Sequence, residues 1–167
     1  MKNIIVYSSK HGSTKAYAEW LAQSLEIECF SIEKVRSSQL QEADGVILGS
    51  AIYMGHLRIA DWLLENWHHI KGKKLALYSV SATDPEDAKV KSMIQESLPR
   101  EYIEGMKFFH LPGKIEIKNL FWWEKLVLNF LAYFEKNSEK KKLFQEGKDM
   151  MYKTRIDQLR SWLETTI

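Results

Sequence analysis

The sequence predicts an α/β protein in three layers, a five-stranded parallel sheet covered by helices on both faces. Short apolar, β-branched runs bounded by turn residues alternate with longer segments of helical period. The 167 residues, 45% hydrophobic and 28% charged, suit one domain with a single buried core, so 1–167 is taken as one unit. A serine- and glycine-containing turn joins the first strand to the first helix, where backbone N–H groups stand unpaired.

The first strand is Asn3 to Ser8; its apolar run Ile4-Ile5-Val6-Tyr7 is too short for a signal peptide and has no small-residue cleavage site. Ser13 to Leu25 follows as a helix, with Ala18, Leu21, Ala22 and Leu25 along one face. Glu28 to Ile32 is the second strand, and Asp44-Gly45 turns the chain into the third, Val46 to Ser50. Leu57 to His69 carries Ile59, Trp62, Leu63 and Trp67 at helical spacing, and Gly72 ends that helix. Lys74 to Ser81 is the fourth strand; Asp84-Pro85 starts the third helix and Pro99 marks its end. Met106 to Leu111 is the fifth strand, with Lys114 to Ile117 as its continuation beyond Pro112-Gly113, and Lys148 to Glu164 is the last helix. Leu120 to Phe134 breaks this pattern: 12 of its 15 residues are apolar or aromatic, and Lys136 and Lys140 to Lys142 follow. The segment is read as an insertion, about 116–147.

Composition excludes several classes. The single Cys29 forbids an internal disulfide and a cysteine metal cluster, and suits a reducing, cytoplasmic setting. His68-His69 read as a solvated helix end, and no metal is expected. A net charge of +2 is too small for a nucleic-acid footprint. No run of about 18 apolar residues is present to span a bilayer.

The most informative stretch is Ser8-Ser9-Lys10-His11-Gly12-Ser13-Thr14. Unpaired N–H groups at a helix start, the helix dipole and short hydroxyl side chains together favour a dianionic phosphate, and Gly12 permits close backbone approach. The loop has neither Gly-Lys-Ser/Thr in P-loop register nor G-x-G-x-x-G, which disfavours ATP, GTP and NAD.

From Ile5 to Thr14, with Ala18 and Leu21 following, the sequence resembles the FMN-phosphate signature of flavodoxins. The resemblance implies a sheet of order 2-1-3-4-5 with FMN beyond the C-terminal ends of its central strands. It assigns Ser9, Lys10, His11, Gly12, Ser13 and Thr14 to the phosphate. Two later loops are then expected around the flavin ring. The first is Ala51, Ile52, Tyr53, Met54 and Gly55, with Tyr53 stacking on the ring; the second is Ser79, Val80, Ser81, Ala82 and Thr83. His56, beside Gly55, is the candidate for proton transfer, with capping of the second helix as its alternative. The cofactor itself carries the redox chemistry.

The Ile52-Tyr53-Met54-Gly55-His56 stretch and the aromatic insertion further resemble the flavodoxin-type, menaquinone-dependent protoporphyrinogen IX dehydrogenases of haem biosynthesis, over nearly the whole of Met1 to Ile167. The insertion carries Lys118 and Lys125 together with Glu116 and Glu124, a less basic balance than that subgroup implies. Its helix needs an apolar cover: the domain's own sheet, a second subunit in a homo-oligomer, a flat hydrophobic substrate, or the bilayer interface on the inner face of the cell membrane. Trp122, Trp123, Leu126 and Phe130 are the expected contacts. The resemblance implies an FMN oxidoreductase passing electrons from a porphyrinogen to a quinone. The alternative is a flavodoxin that shuttles electrons without a substrate of its own, a role that usually goes with an acidic surface; a module that has lost its flavin is the third.

Overall fold

The computed structural model describes residues 2–82 and 88–165. The chain opens with β1 (Asn3–Ser8), α1 (Ser13–Leu25), β2 (Glu28–Ser31), the short α2 (Ser37–Glu42) and β3 (Gly45–Tyr53). It continues through β4 (His56–Leu57), α3 (Ala60–Ile70), β5 (Lys74–Ser81), α4 (Ala88–Ser97), α5 (Arg100–Glu104) and β6 (Lys107–Pro112). The last part comprises β7 (Lys114–Ile115), α6 (Trp122–Phe134), α7 (Ser138–Glu146), β8 (Lys148–Asp149) and α8 (Asp157–Glu164), the last entered through a 3-10 turn at Lys153–Ile156.

Five parallel strands lie in the order β2-β1-β3-β5-β6, with β1 and β3 aligned from Asn3 opposite Gly45 to Ser8 opposite Ser50. Alternate residues of each strand face opposite layers. Ile4, Val6, Val46, Leu48, Leu75 and Leu77 pack with Leu63 and Ile70 of α3 and Val90 and Ile94 of α4. Ile5, Ile47, Tyr78 and Val80 pack on the other face against Tyr17, Ala18 and Leu21 of α1 and Leu159 and Leu163 of α8. The central strands are apolar on both faces because both faces are covered.

Three sequence expectations need correction. The third strand runs on to Tyr53 and folds back through Met54-Gly55 into β4, so the expected loop at 51–55 is a strand end and a tight hairpin, and Leu57 belongs to β4 rather than to a helix. Met54 and Gly55 have φ of 49° and 84°, the left-handed pair that a two-residue hairpin of matching twist requires. Lys114–Ile115 does not continue β6: it pairs antiparallel with Lys148–Asp149, which in turn is not helical. Residues 116–147 are therefore strung between two strands held side by side. Finally, Pro99 ends α4 only by starting α5, a helix that the sequence reading did not separate. The expected start of the third helix at Asp84-Pro85 lies outside the described residues.

Candidate functional site

The C-terminal ends of β1, β3 and β5 deliver their following segments to one cavity of about 310 Å3. Ser9, Lys10, His11, Ser13 and Thr14 line it from the first turn, Ala51, Ile52, Tyr53 and Met54 from the hairpin, and Val80, Ser81 and Ala82 from the end of β5. Opposite them stand Lys114, Ile115 and Glu116 at the base of the insertion, then Asn119, Leu120, Trp123, Glu124, Val127, Leu128 and Leu131.

The first turn is built to receive an anion. Gly12 takes φ of 88° ahead of α1, a backbone that only glycine adopts freely, and no side chain caps the helix start. Ser9 Oγ and Thr14 Oγ1 are buried and have no hydrogen-bond partner among the described residues. Buried hydroxyls are normally paired, so two orphans beside an uncapped helix start fit a phosphate. The helix is fixed from below. Tyr78 Oη donates to the Thr14 carbonyl at 3.0 Å, Tyr17 Oη donates to the Pro112 carbonyl at 2.8 Å, and Lys114 N–H donates to Ser13 Oγ at 3.3 Å. Burial pushes the Tyr17 phenol up to about 12, which keeps it a donor.

The loop's two ionisable side chains turn to a residue that sequence reasoning had counted only as lowering the basicity of the insertion. Glu124 is 5% exposed. Its Oε1 accepts from Lys10 Nζ at 2.6 Å and Tyr53 Oη at 2.9 Å and lies 3.2 Å from His11 Nε2, while Oε2 accepts the Phe121 N–H at 2.9 Å. Burial by itself pushes the Glu124 carboxyl up, but the bonds from Lys10, Phe121 and Tyr53 and the charge of His11 outweigh it and hold the group at about 2. The Lys10 ammonium also lies 3.5 Å from the centroid of the Tyr53 ring and 5.0 Å from that of Trp123, whose ring meets Tyr53 edge-on. The available sequence signal was local: Glu124 stands three residues after Phe121, where a first-turn glutamate can close back on the residue before the helix.

Several expected site residues lie elsewhere. Gly12 and Gly55 shape their turns without lining the cavity. Ser79 is fully buried in β5 with Oγ 2.8 Å from His110 Nδ1, beneath the cavity rather than in its wall. His56 is exposed in β4, outside the lining; Ile59, not His56, precedes α3. Of the four insertion residues, Trp123 faces inward, whereas Trp122, Leu126 and Phe130 point to solvent with 74%, 59% and 65% of their surface exposed. Thr83 lies outside the described residues. No helix among the described residues is long and apolar enough to cross a membrane, and no cluster of metal-binding side chains is present among them.

A doubly wound sheet with an anion-ready turn at the end of its first strand defines a mononucleotide-binding α/β protein. The chain belongs to the flavodoxin domain family, which matches residues 4–142, and membership implies a flavin, FMN, as cofactor. Among solved structures, a flavodoxin from the domain Archaea is similar at 23% identity, covering 71% of this chain and 87% of its own, with a TM-score of 0.50. The two-electron reduced flavodoxin of Megasphaera elsdenii is similar at 17% identity over 65% of this chain and 84% of its own, also at 0.50. At these identities the likeness shows the fold alone. No curated protein matches the chain.

Proposed function

We propose that this flavodoxin-family redox protein is an FMN-dependent oxidoreductase that takes electrons two at a time from a bulky reductant with an uncharged macrocycle, protoporphyrinogen IX, and passes each pair to a quinone. The observation that carries the reading is the second wall of the cavity: Leu120, Trp123, Val127, Leu128 and Leu131 face the two flavin segments across the opening. An electron carrier has no use for an apolar wall over its cofactor, whereas a substrate without charge on its ring needs one.

FMN, when bound, supplies the electron chemistry. The chain's own residues bind and orient it: Ser9, Ser13 and Thr14 with the α1 N–H groups at the phosphate, and Tyr53, Ala51 and Ser81 with Ala82 around the ring. Trp123 and Leu128 exclude water from the reacting face. The outward stripe of Trp122, Leu126 and Phe130 is suited to a membrane interface, where quinones dissolve. No proton-transfer role is given to His56.

The second reading is a flavodoxin that only carries electrons. The family match and the similar structures bear on it more directly than on porphyrin chemistry, while the net charge of +2 is not the strongly acidic balance that steers such carriers to basic partners. An anaerobic assay separates the two: FMN-loaded protein is mixed with protoporphyrinogen IX and then with a menaquinone analogue, with flavin and porphyrin absorbance followed together. Bleaching of the flavin by the porphyrinogen and its recovery with quinone support the enzyme; a protein that holds FMN and ignores both is a carrier.

A further inference from the structure

α6 is attached to the rest of the protein in an unusual way. Of its thirteen residues only Glu124 and Ala132 are buried, and Trp122, Leu126, Phe130, Tyr133 and Phe134 are largely exposed. The helix that walls the cavity is thus tied to the sheet side by one buried carboxylate and the Trp123–Tyr53 edge contact, and two of the carboxylate's partners, Lys10 and His11, belong to the first turn. Lys10 and His11 cannot direct the same N–H groups to Glu124 and to a phosphate dianion in their own turn at once.

We propose that Glu124 is a positioning residue that latches α6 over the cavity through Lys10, His11 and Tyr53, and that a phosphate in the 9–14 turn competes with it for the Lys10 ammonium and the His11 ring N–H. Phosphate binding and closure of the wall are then linked with opposite sign. A bound dianion loosens α6, and removal of the Glu124 charge tightens phosphate binding; thermodynamic reciprocity makes these one quantity. The geometry accounts for the division of labour in the turn, where the Ser9 and Thr14 hydroxyls are left without a partner while the Lys10 and His11 side chains are engaged by the insertion. A wall on a charge latch also gives a bulky apolar molecule a way in that a wall packed on apolar contacts would not. The inference rests on the flavin reading only for its ligand; the latch stands apart from it.

The test uses the full chain, with Glu124→Gln, Glu124→Asp and Lys10→Met as variants. Hydrogen exchange of the flavin-free protein is expected to be at least about tenfold faster across 122–134 in Glu124→Gln, with β3 and β5 unchanged, and Glu124→Asp to restore much of the protection. Lys10→Met should loosen α6 equally without tightening phosphate binding. Glu124→Gln should bind FMN about tenfold more tightly, a coupling in the usual allosteric range, and riboflavin, which lacks the phosphate, no differently. Unaltered exchange across α6 in both Glu124→Gln and Lys10→Met overturns the latch. Equal or weaker FMN binding by Glu124→Gln overturns the competition. If neither flavin binds the wild-type protein, the FMN reading fails, and the latch is then decided by exchange of 122–134 with and without inorganic phosphate: faster exchange with phosphate upholds it, no change overturns it.

Discussion

Glu124 concentrates the electrostatics of the cavity on one side chain, and its depressed carboxyl makes a signed statement about acid. An unfolded glutamate titrates near ~4.3, whereas here the group is held at about 2. The stabilisation from its ionised form is therefore complete above the unfolded value and is lost as pH falls from there toward the folded one. Urea unfolding of wild type and Glu124→Gln should differ by about 3 kcal/mol near neutrality, as for a broken buried pair, with the gap closing between about pH 4 and pH 2. A gap as wide at pH 2 as at pH 7 would remove the carboxylate from this role. Ser9 and Thr14 make the converse case. Their hydroxyls are buried without partners, so Ser9→Ala with Thr14→Val should leave the flavin-free protein as stable or slightly more so. The same pair should weaken FMN binding by about 10- to 100-fold for each hydroxyl lost, since bonds to charged groups are worth roughly 1.5–3 kcal/mol. Fluorescence titration and thermal unfolding of one variant check both halves.

At the scale of elements, the site depends on how β5 reaches past β3. Tyr78 lies across Gly49, its neighbour on β3, to bond the Thr14 carbonyl, and a Cβ at Gly49 would collide with the phenol ring. Gly49→Ala should cost about 1–3 kcal/mol, as overpacking in a full core does, and should weaken FMN binding because α1 loses its tie. Adding Tyr78→Phe ought to recover part of the stability but not the binding; thermal melts with a flavin titration decide it. Elements fixed by local pattern were readable from sequence. β1, α1 and β5 match their expected limits residue for residue, because their apolar spacing, Gly12 and the turn residues all lie within or beside them. Elements fixed by distant partners were not. Lys148–Asp149 carries helix-forming neighbours yet is extended because it pairs with Lys114–Ile115 across the insertion. The hairpin at Met54-Gly55 was missed because methionine gives no turn signal, and it is held by Tyr53 pairing with His56 and Ile52 with Leu57. Glu124 was illegible for the same reason on a larger scale: its partners Lys10, His11 and Tyr53 lie in the first third of the chain.

The molecule as a whole divides its work between a sheet with its turns and an insertion bracketed by β7 and β8. That bracket makes the division testable in a single protein. Ile115 stands directly opposite Lys148, so a two-residue Asn-Gly turn can replace 116–147 without moving the strands that carry it. The excision removes Trp123, Glu124 and the rest of the cavity's apolar wall, and with them the exposed aromatic stripe. It leaves both core clusters, the hydroxyls of Ser9 and Thr14, the Met54-Gly55 hairpin and the end of β5 in place. Folding stability should fall by no more than about the 3 kcal/mol assigned to Glu124, because Ala132 is the only other buried residue of α6. FMN should bind no more weakly, since Lys10 and His11 are released to the phosphate side of their turn. One-electron transfer to cytochrome c, which needs only an exposed flavin edge, should persist, whereas oxidation of protoporphyrinogen IX and reduction of a menaquinone analogue should fall to background. Retention of both activities in the excised protein would make the insertion a structural appendage and move the substrate site to the sheet and its turns. Loss of FMN binding in a protein that still melts cooperatively would instead show that the insertion's wall, and not the first turn, supplies most of the affinity for the cofactor.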